Sequence, residues 1–280
     1  MKRLITPIII TVFWLMMTAL LVKKEIMPFI EYDEPPSYRT SLKEIYKPEL
    51  TSMNFYIGAE KTGVAESLIL PQSDGSYRMQ SKIELTLATP IIPISNKIRS
   101  TTDTIIDQNF QLISTNMKVD TMGFRITIKG ERVGDKLNIE FTTPLGSGKD
   151  TIDFPKDAML SDSLVPLYDI GKIEVGKKWK IQMIDINILG GGFHLIPAWA
   201  SVEMKEKYYY KDKILNAFRI EIRKNPSDKI PYYTVWVEGD GSILEGQITF
   251  GNTIYRLILD ERRKLSKGDI LNYSKWEAIK

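Results

Sequence analysis

The chain has 280 residues, 43% hydrophobic and 26% charged, with no cysteine, one histidine and a formal net charge of +3. That length fits one large domain or two small ones, since domains usually run ~100–200 residues. The missing cysteines exclude disulfides, thiolate nucleophiles, iron–sulfur clusters and cysteine-ligated zinc, and a lone His194 excludes metal sites built from several histidines.

The charge is unevenly placed. Residues 1–24 hold Lys2, Arg3, Lys23 and Lys24 and no acid, a balance of +4 that leaves 34 basic against 35 acidic residues in the rest. Nucleic-acid binding needs a clustered cationic face, and a body at −1 gives no compositional support for one.

From Leu4 to Val22 no residue is charged. A helix of this length spans about 28 Å, close to the ~30 Å hydrocarbon core of a bilayer. Pro7 falls in its first turn, where a missing N–H costs least. A cleaved signal peptide would need a shorter apolar region and a small-x-small site. Ala19 instead stands among Leu20, Leu21 and Val22, with Lys23-Lys24 directly after. The segment 1–24 therefore reads as an uncleaved signal-anchor helix. Lys2, Arg3 and the terminal amine set the N-terminus inside and the body on the extracytoplasmic side, periplasmic or equivalent, of the cytoplasmic (inner) membrane.

Residues 25–50 contain Pro28, Pro35, Pro36 and Pro48 among charged and aromatic residues, the composition of a semi-rigid tether. Its Phe29, Ile30 and Tyr32 can equally sit at the membrane edge or pack on the body.

From about residue 51 the dominant signal is alternation. Tyr77, Met79, Ile83, Leu85 and Leu87 share one parity against Arg78, Gln80, Lys82, Glu84 and Thr86. The same pattern recurs at Phe124-Ile126-Ile128, Leu137-Ile139-Phe141 and Phe218-Ile220-Ile222. Period two marks antiparallel strands with one buried face. Asp74-Gly75, Gly134-Asp135, Lys211-Asp212 and Asp240-Gly241 separate such runs and suit tight hairpin turns. About a dozen strands joined this way make a meander, which at that size curls, splits or closes. The expected fold is mainly β: a large antiparallel curved open sheet or half-barrel over 51–265. One or two short helices complete it between Pro155 and Ile170, where Pro166 forbids a long one. The tail 266–280 reads as a peripheral appendage docked by Trp276.

Chemical motifs are weak. Gly146-Ser147-Gly148-Lys149 is followed by Asp150, where a phosphate loop needs Ser or Thr to hold magnesium, and so reads as a hairpin turn. Gly190-Gly191-Gly192 lacks the spacing and flanking helix of a dinucleotide loop. His194 beside it shows neither nucleophile nor orienting carboxylate in linear sequence, and no pair among Asp185, Asp228, Glu238 and Asp240 is singled out by spacing. The expectation is a protein that is not an enzyme and carries neither metal nor cofactor.

Aromatic residues cluster in the second half, and they can form a sheet core or line an apolar cleft on the concave side of the sheet. An open sheet must cover its apolar face with a helix, another sheet or a ligand, and helices are scarce here. The candidate lining residues are Phe124, Ile126, Ile128, Phe141, Phe193, Trp199, Phe218, Ile220 and Trp236.

Several short motifs occur in a familiar order. They are Met53–Val64 with its G-x-K-x-G turn, Asp74-Gly75-Ser76-Tyr77, Asp153-Phe154, the Leu-Pro segment Leu164–Leu167, Val175–Trp179, and Trp236–Leu244. Together they resemble a bacterial extracytoplasmic β domain of uncharacterised function, similar to the domain that precedes transglutaminase-like domains and to the lipoprotein-carrier (LolA-like) superfold. The resemblance covers roughly 52–263. It implies an open curved sheet with a helical lid and supplies no catalytic residues, and this chain has no cysteine for a transglutaminase nucleophile. The expected function is a membrane-anchored module of the cell envelope, with a lipid or other apolar ligand as partner. The alternative is a scaffold that presents its sheet to an envelope protein, such as a transglutaminase-like enzyme.

Overall fold

The computed structural model describes residues 2–25, 32–89, 92–121, 123–155, 170, 173–187, 192–250, 253–266 and 269. The segment expected to form short helices (155–170), the triple glycine and the tail with Trp276 lie almost wholly outside the described residues, as do Phe29 and Ile30.

Helix α1 runs Lys2–Glu25. Its described side chains, including Phe13, Trp14, Leu15 and Leu21, are exposed. Among the described residues, no helix is long and apolar enough to cross a membrane.

Fourteen strands follow in one antiparallel sheet. The first meander comprises β1 (Glu49–Ile57), β2 (Glu60–Pro71), β3 (Tyr77–Thr89), β4 (Ile92–Ile106), β5 (Leu112–Thr121), β6 (Phe124–Val133), β7 (Lys136–Thr143) and β8 (Gly146–Asp153). The second comprises β9 (Lys178–Asn187), β10 (Gly192–Tyr210), β11 (Lys213–Arg223), β12 (Tyr233–Val237), β13 (Ile243–Phe250) and β14 (Thr253–Lys264). The spatial order is β8-β7-β6-β5-β4-β3-β2-β1-β14-β13-β12-β11-β10-β9. Every neighbour in that order is also a neighbour in sequence except β1 and β14. Residues of β8 approach β10 within 8 Å between Cα atoms, so the two ends of the sheet curl toward one another. This is a curved open sheet close to a barrel.

The alternation read from the sequence becomes a concave and a convex face. Met53, Ala65, Met79, Ile83, Ile106, Leu137, Ile220 and Val235 belong to a single core cluster on the concave side. The four hairpin dipeptides all fall in turns. Lys211 and Asp212, at φ 44° and 62°, are both left-handed, the twist a two-residue hairpin needs. At Asp74-Gly75 the Asp74 carboxylate accepts from the Ser76 N–H at 2.9 Å and fixes the turn. The Gly146–Lys149 stretch opens β8, one step beyond the Pro144-Leu145 turn.

Strand direction sorts the connections onto two ends. At one end the chain is plugged from within. Pro35-Pro36 leads to a short helix α2 (Tyr38–Leu42). The Ser37 N–H donates to Thr40 Oγ1 at 2.9 Å, and that hydroxyl donates to the Ser37 carbonyl at 2.7 Å, which fastens the first turn. Tyr38, Leu42 and Ile45 are buried in the main core together with Phe154 and Ile173. The Arg39 guanidinium sits 5.8 Å over the Phe110 ring, which stacks on Tyr77 at 5.8 Å. The Asp33 N–H donates to the Lys178 carbonyl at 2.8 Å, and the Lys178 N–H donates back to Asp33 Oδ2 at 3.0 Å. Residues 33–45 are thus tied to the start of β9 and inserted into the sheet's hollow. That hollow is covered at this end by the chain's own side chains.

Leu42→Ala is expected to cost about 2–5 kcal/mol, as truncation of a fully buried leucine does, measured by urea unfolding. Tyr46→Ala, at an exposed neighbouring position, should stay within about 0.5 kcal/mol. Equal effects would show that α2 does not plug the sheet.

Candidate functional site

The concave face changes character along the strands. In β3 the described inward apolar side chains are buried along the strand, Tyr77 at 9%, Met79 at 1%, Ile83 at 3% and Leu85 at 8%. In β7 Leu137 and Ile139 are buried and Phe141 is only partly so. In β6, Ile126 is buried, Ile128 half-buried and Phe124 exposed at 53%. The cross-strand register carries this apolar surface sideways, since Met117 faces Ile128 and Ile128 faces Phe141. On the other meander Ile222, Tyr233, Ile248 and Tyr255 form a second cross-strand row, which continues to Ile57 of β1. A half-buried apolar mouth therefore lies opposite the plug.

The candidate residues divide accordingly. Ile128 and Phe141 are half-buried on this face, Ile126 between Ile128 and the start of β6 is buried, and Phe124 at that start is exposed and lines a cleft with Lys97, Arg99 and Arg125. Ile126, Phe218 and Ile220 are buried side chains of the face itself. Trp199 alternates with buried Ala198 and Ala200, and Trp236 with buried Val235 and Val237, so both tryptophans take the convex parity. The side chain of Phe193 lies outside the described residues. So do those of His194 and Asp185, although the β9–β10 ladder pairs these two positions.

Two aromatic side chains lie over glycines on the concave face. A Cβ at position 148 would come within 2.5 Å of the Phe141 ring, and one at 246 within 2.0 Å of the Tyr233 hydroxyl oxygen. Only glycine leaves room for these rings. Tyr233 is 6% exposed, and its hydroxyl has no hydrogen-bond partner among the described residues. Unpaired polar atoms are rare in folded interiors and are costly there. Desolvation, reinforced by the Glu245 charge, pushes the Tyr233 hydroxyl well above the usual tyrosine range. It stays a neutral donor.

The convex face holds a buried carboxylate that sequence reading missed. Glu245 is 2% exposed and receives the Arg256 guanidinium as a fork, at 2.6 and 2.8 Å. The Tyr208 hydroxyl donates to Oε2, the oxygen that also accepts from Arg256 Nη2. Nearby, Trp236 Nε1 donates to Glu206 at 2.7 Å, with its ring 6.1 Å from that of Tyr208. The Tyr210 hydroxyl donates to the Leu259 carbonyl at 2.9 Å. These contacts hold the long β10–β11 hairpin against β13 and β14. The partners come from β10, β12, β13 and β14, so no local spacing could announce them. Burial raises the Tyr208 hydroxyl above its ordinary value, as does donation to Glu245.

Two polar clefts of about 440 and 350 Å³ share Lys97. Burial works against the charge of Glu84 there, but Lys82, Lys97 and Arg99 outweigh it and hold the carboxyl below the usual range. Glu66 is raised by burial. These clefts alternate acids with bases. Among the described residues no three His, Asp or Glu are grouped to hold a metal ion.

No family model and no curated protein sequence matches the chain. In structure it is similar to a β-barrel-like protein of a domain of unknown function (DUF1849) from Brucella abortus, with a TM-score of 0.52 and 9% identity. The match covers 79% of this chain and 98% of that one. At this identity the likeness carries the fold alone, a β-barrel-like domain.

The raised tyrosines make stability pH-dependent. Below the ordinary tyrosine value near 10 both states keep these protons, and above it only the folded state does. Stability should therefore fall as pH rises between about 9 and 11, followed as the urea midpoint. The fall should be shallower in the Tyr208→Phe, Tyr233→Phe double variant, and an equal slope would refute the burial of these hydroxyls.

Proposed function

We propose that this chain is a non-catalytic, membrane-anchored module of the cell envelope that holds a lipid or similar apolar ligand in the mouth of its curved sheet. The observation that carries this reading is the asymmetry of the concave face. One end is filled by Tyr38, Leu42, Ile45, Phe154 and Ile173, and the other leaves Ile128, Phe141, Ile222 and Ile248 half-buried. A mostly apolar concavity is the usual form of a small-molecule site. The anchor part of the reading is supported by the apolar, solvent-exposed side chains of α1 between Ile10 and Leu21. The extracytoplasmic placement is supported by the charge balance around that helix. The likeness to a β-barrel-like domain agrees with this reading, as does the resemblance of the short sequence motifs to those of the domain preceding transglutaminase-like domains and of the lipoprotein-carrier superfold.

A second reading has one observation of its own. β8 and β9 are the terminal strands of the sheet order, and such edges recruit partner strands. An envelope protein bound there would make the chain a scaffold, and cross-linking in intact cells would recover it.

Full-length protein purified from membranes should carry extractable lipid, identified by mass spectrometry of the organic extract after extensive exchange. Ile128→Arg, which places a charge in the half-buried mouth, should lose that lipid and still fold. Wild-type protein free of any apolar molecule would contradict the proposal.

A further inference from the structure

The ligand proposed above need not be pure hydrocarbon, because the concave face contains one polar atom with nothing to bind. The Tyr233 ring lies over Gly246, its hydroxyl oxygen so close that a single added methyl there would collide with it. The side chain is 94% buried by its 6% exposure, and the hydroxyl is unpartnered among the described residues. Its ladder neighbours on either side are Ile222 and Ile248, so neither can offer a side-chain acceptor. Leu257, opposite Gly246 on β14, cannot either. A phenylalanine would fill the same volume over the same glycine without leaving a donor unpaired. The position thus retains an oxygen that packing does not require, buried one cross-strand step inward from the half-buried Ile222 and Ile248.

We propose that Tyr233 is the polar contact of this site and donates its hydroxyl hydrogen to the carbonyl oxygen of an acyl ligand. The inference rests on the reading of the mouth as a lipid site and narrows it to acyl chemistry. A neutral O–H in an apolar wall distinguishes a ligand with one carbonyl from an alkane of equal length. It offers no counter-charge, so the contact is a hydrogen bond and not an ion pair. The group takes part in positioning and selection, and no covalent step is involved.

The test uses full-length protein in nanodiscs, wild type and Tyr233→Phe, with methyl laurate carrying a ¹³C label at the carbonyl. The label separates its infrared band from those of the disc lipids. Wild-type protein should retain the ester and show its carbonyl stretch lowered by hydrogen bonding. Tyr233→Phe should melt at no lower temperature, show the unbonded band and bind the ester about threefold to tenfold more weakly. Binding of tetradecane should be equal in the two proteins. Identical carbonyl bands with undiminished ester affinity in the variant would overturn the role of Tyr233 while leaving the apolar site standing. Retention of neither ester nor tetradecane by wild-type protein would overturn the site itself. Labelled lauric acid run in parallel tells whether the acyl source is an ester or a free acid.

Discussion

The structure depends on the ladder between β1 and β14. It runs from Glu49 opposite Lys264 to Ile57 opposite Tyr255, with a bulge at Ser52/Met53. Each other ladder joins strands adjacent in sequence and could form locally. This one unites the two meanders and requires the chain's near-terminal strands to meet, at the loop-closure cost that makes non-local pairing slow. Without it each meander would expose an apolar face to water. With it, Met53 and Phe55 meet Leu259 and Leu257, and the concave core becomes continuous across both halves.

The plug follows from the same closure. Residues 32–48 directly precede β1, so fixing β1 mid-sheet delivers Tyr38, Leu42 and Ile45 to one end of the hollow. The Leu265 N–H bonds the Pro48 carbonyl at 2.8 Å, where Leu50, Leu68 and Leu265 form a small satellite cluster. The apolar face of an open sheet must be covered by something. Here the chain's own residues cover it at one end, and the opposite end leaves apolar side chains half in solvent. That inequality is the physical basis for the proposal of a ligand there.

Much of the sheet was legible in the sequence because period two and hairpin chemistry are local signals. The runs at Tyr77–Leu87, Phe124–Ile128, Leu137–Phe141 and Phe218–Ile222 all became strands, and Tyr77, Met79, Ile83, Leu85, Ile126, Leu137, Ile139, Phe218 and Ile220 on their apolar parity are buried. Other features were not local. The tether's prolines concealed that Tyr38 and Leu42 belong to the core, since five helical residues carry no usable periodicity. Bulges such as those between Val202 and Met204 in β10 and between Trp236 and Val237 in β12 reset parity, so Trp199 and Trp236 could not be assigned a face from aromatic clustering. Phe124 has the right parity but stands at the first position of its strand, where the face meets solvent. Glu245 was invisible because its partners come from other strands. The glycines under Phe141 and Tyr233 read as mere interruptions until the opposite strand was known.

The account's central claim is that the concave face is closed at the α2 end and receives a ligand at the other. Photo-cross-linking of full-length protein with a diazirine-bearing fatty acyl probe, mapped by peptide mass spectrometry, tests this most directly. Adducts should fall on mouth residues such as Met117, Ile128, Phe141 and Ile248, and excess unlabelled lipid should suppress them. Adducts confined to the convex face or to α1, or distributed evenly over the strands, would contradict it.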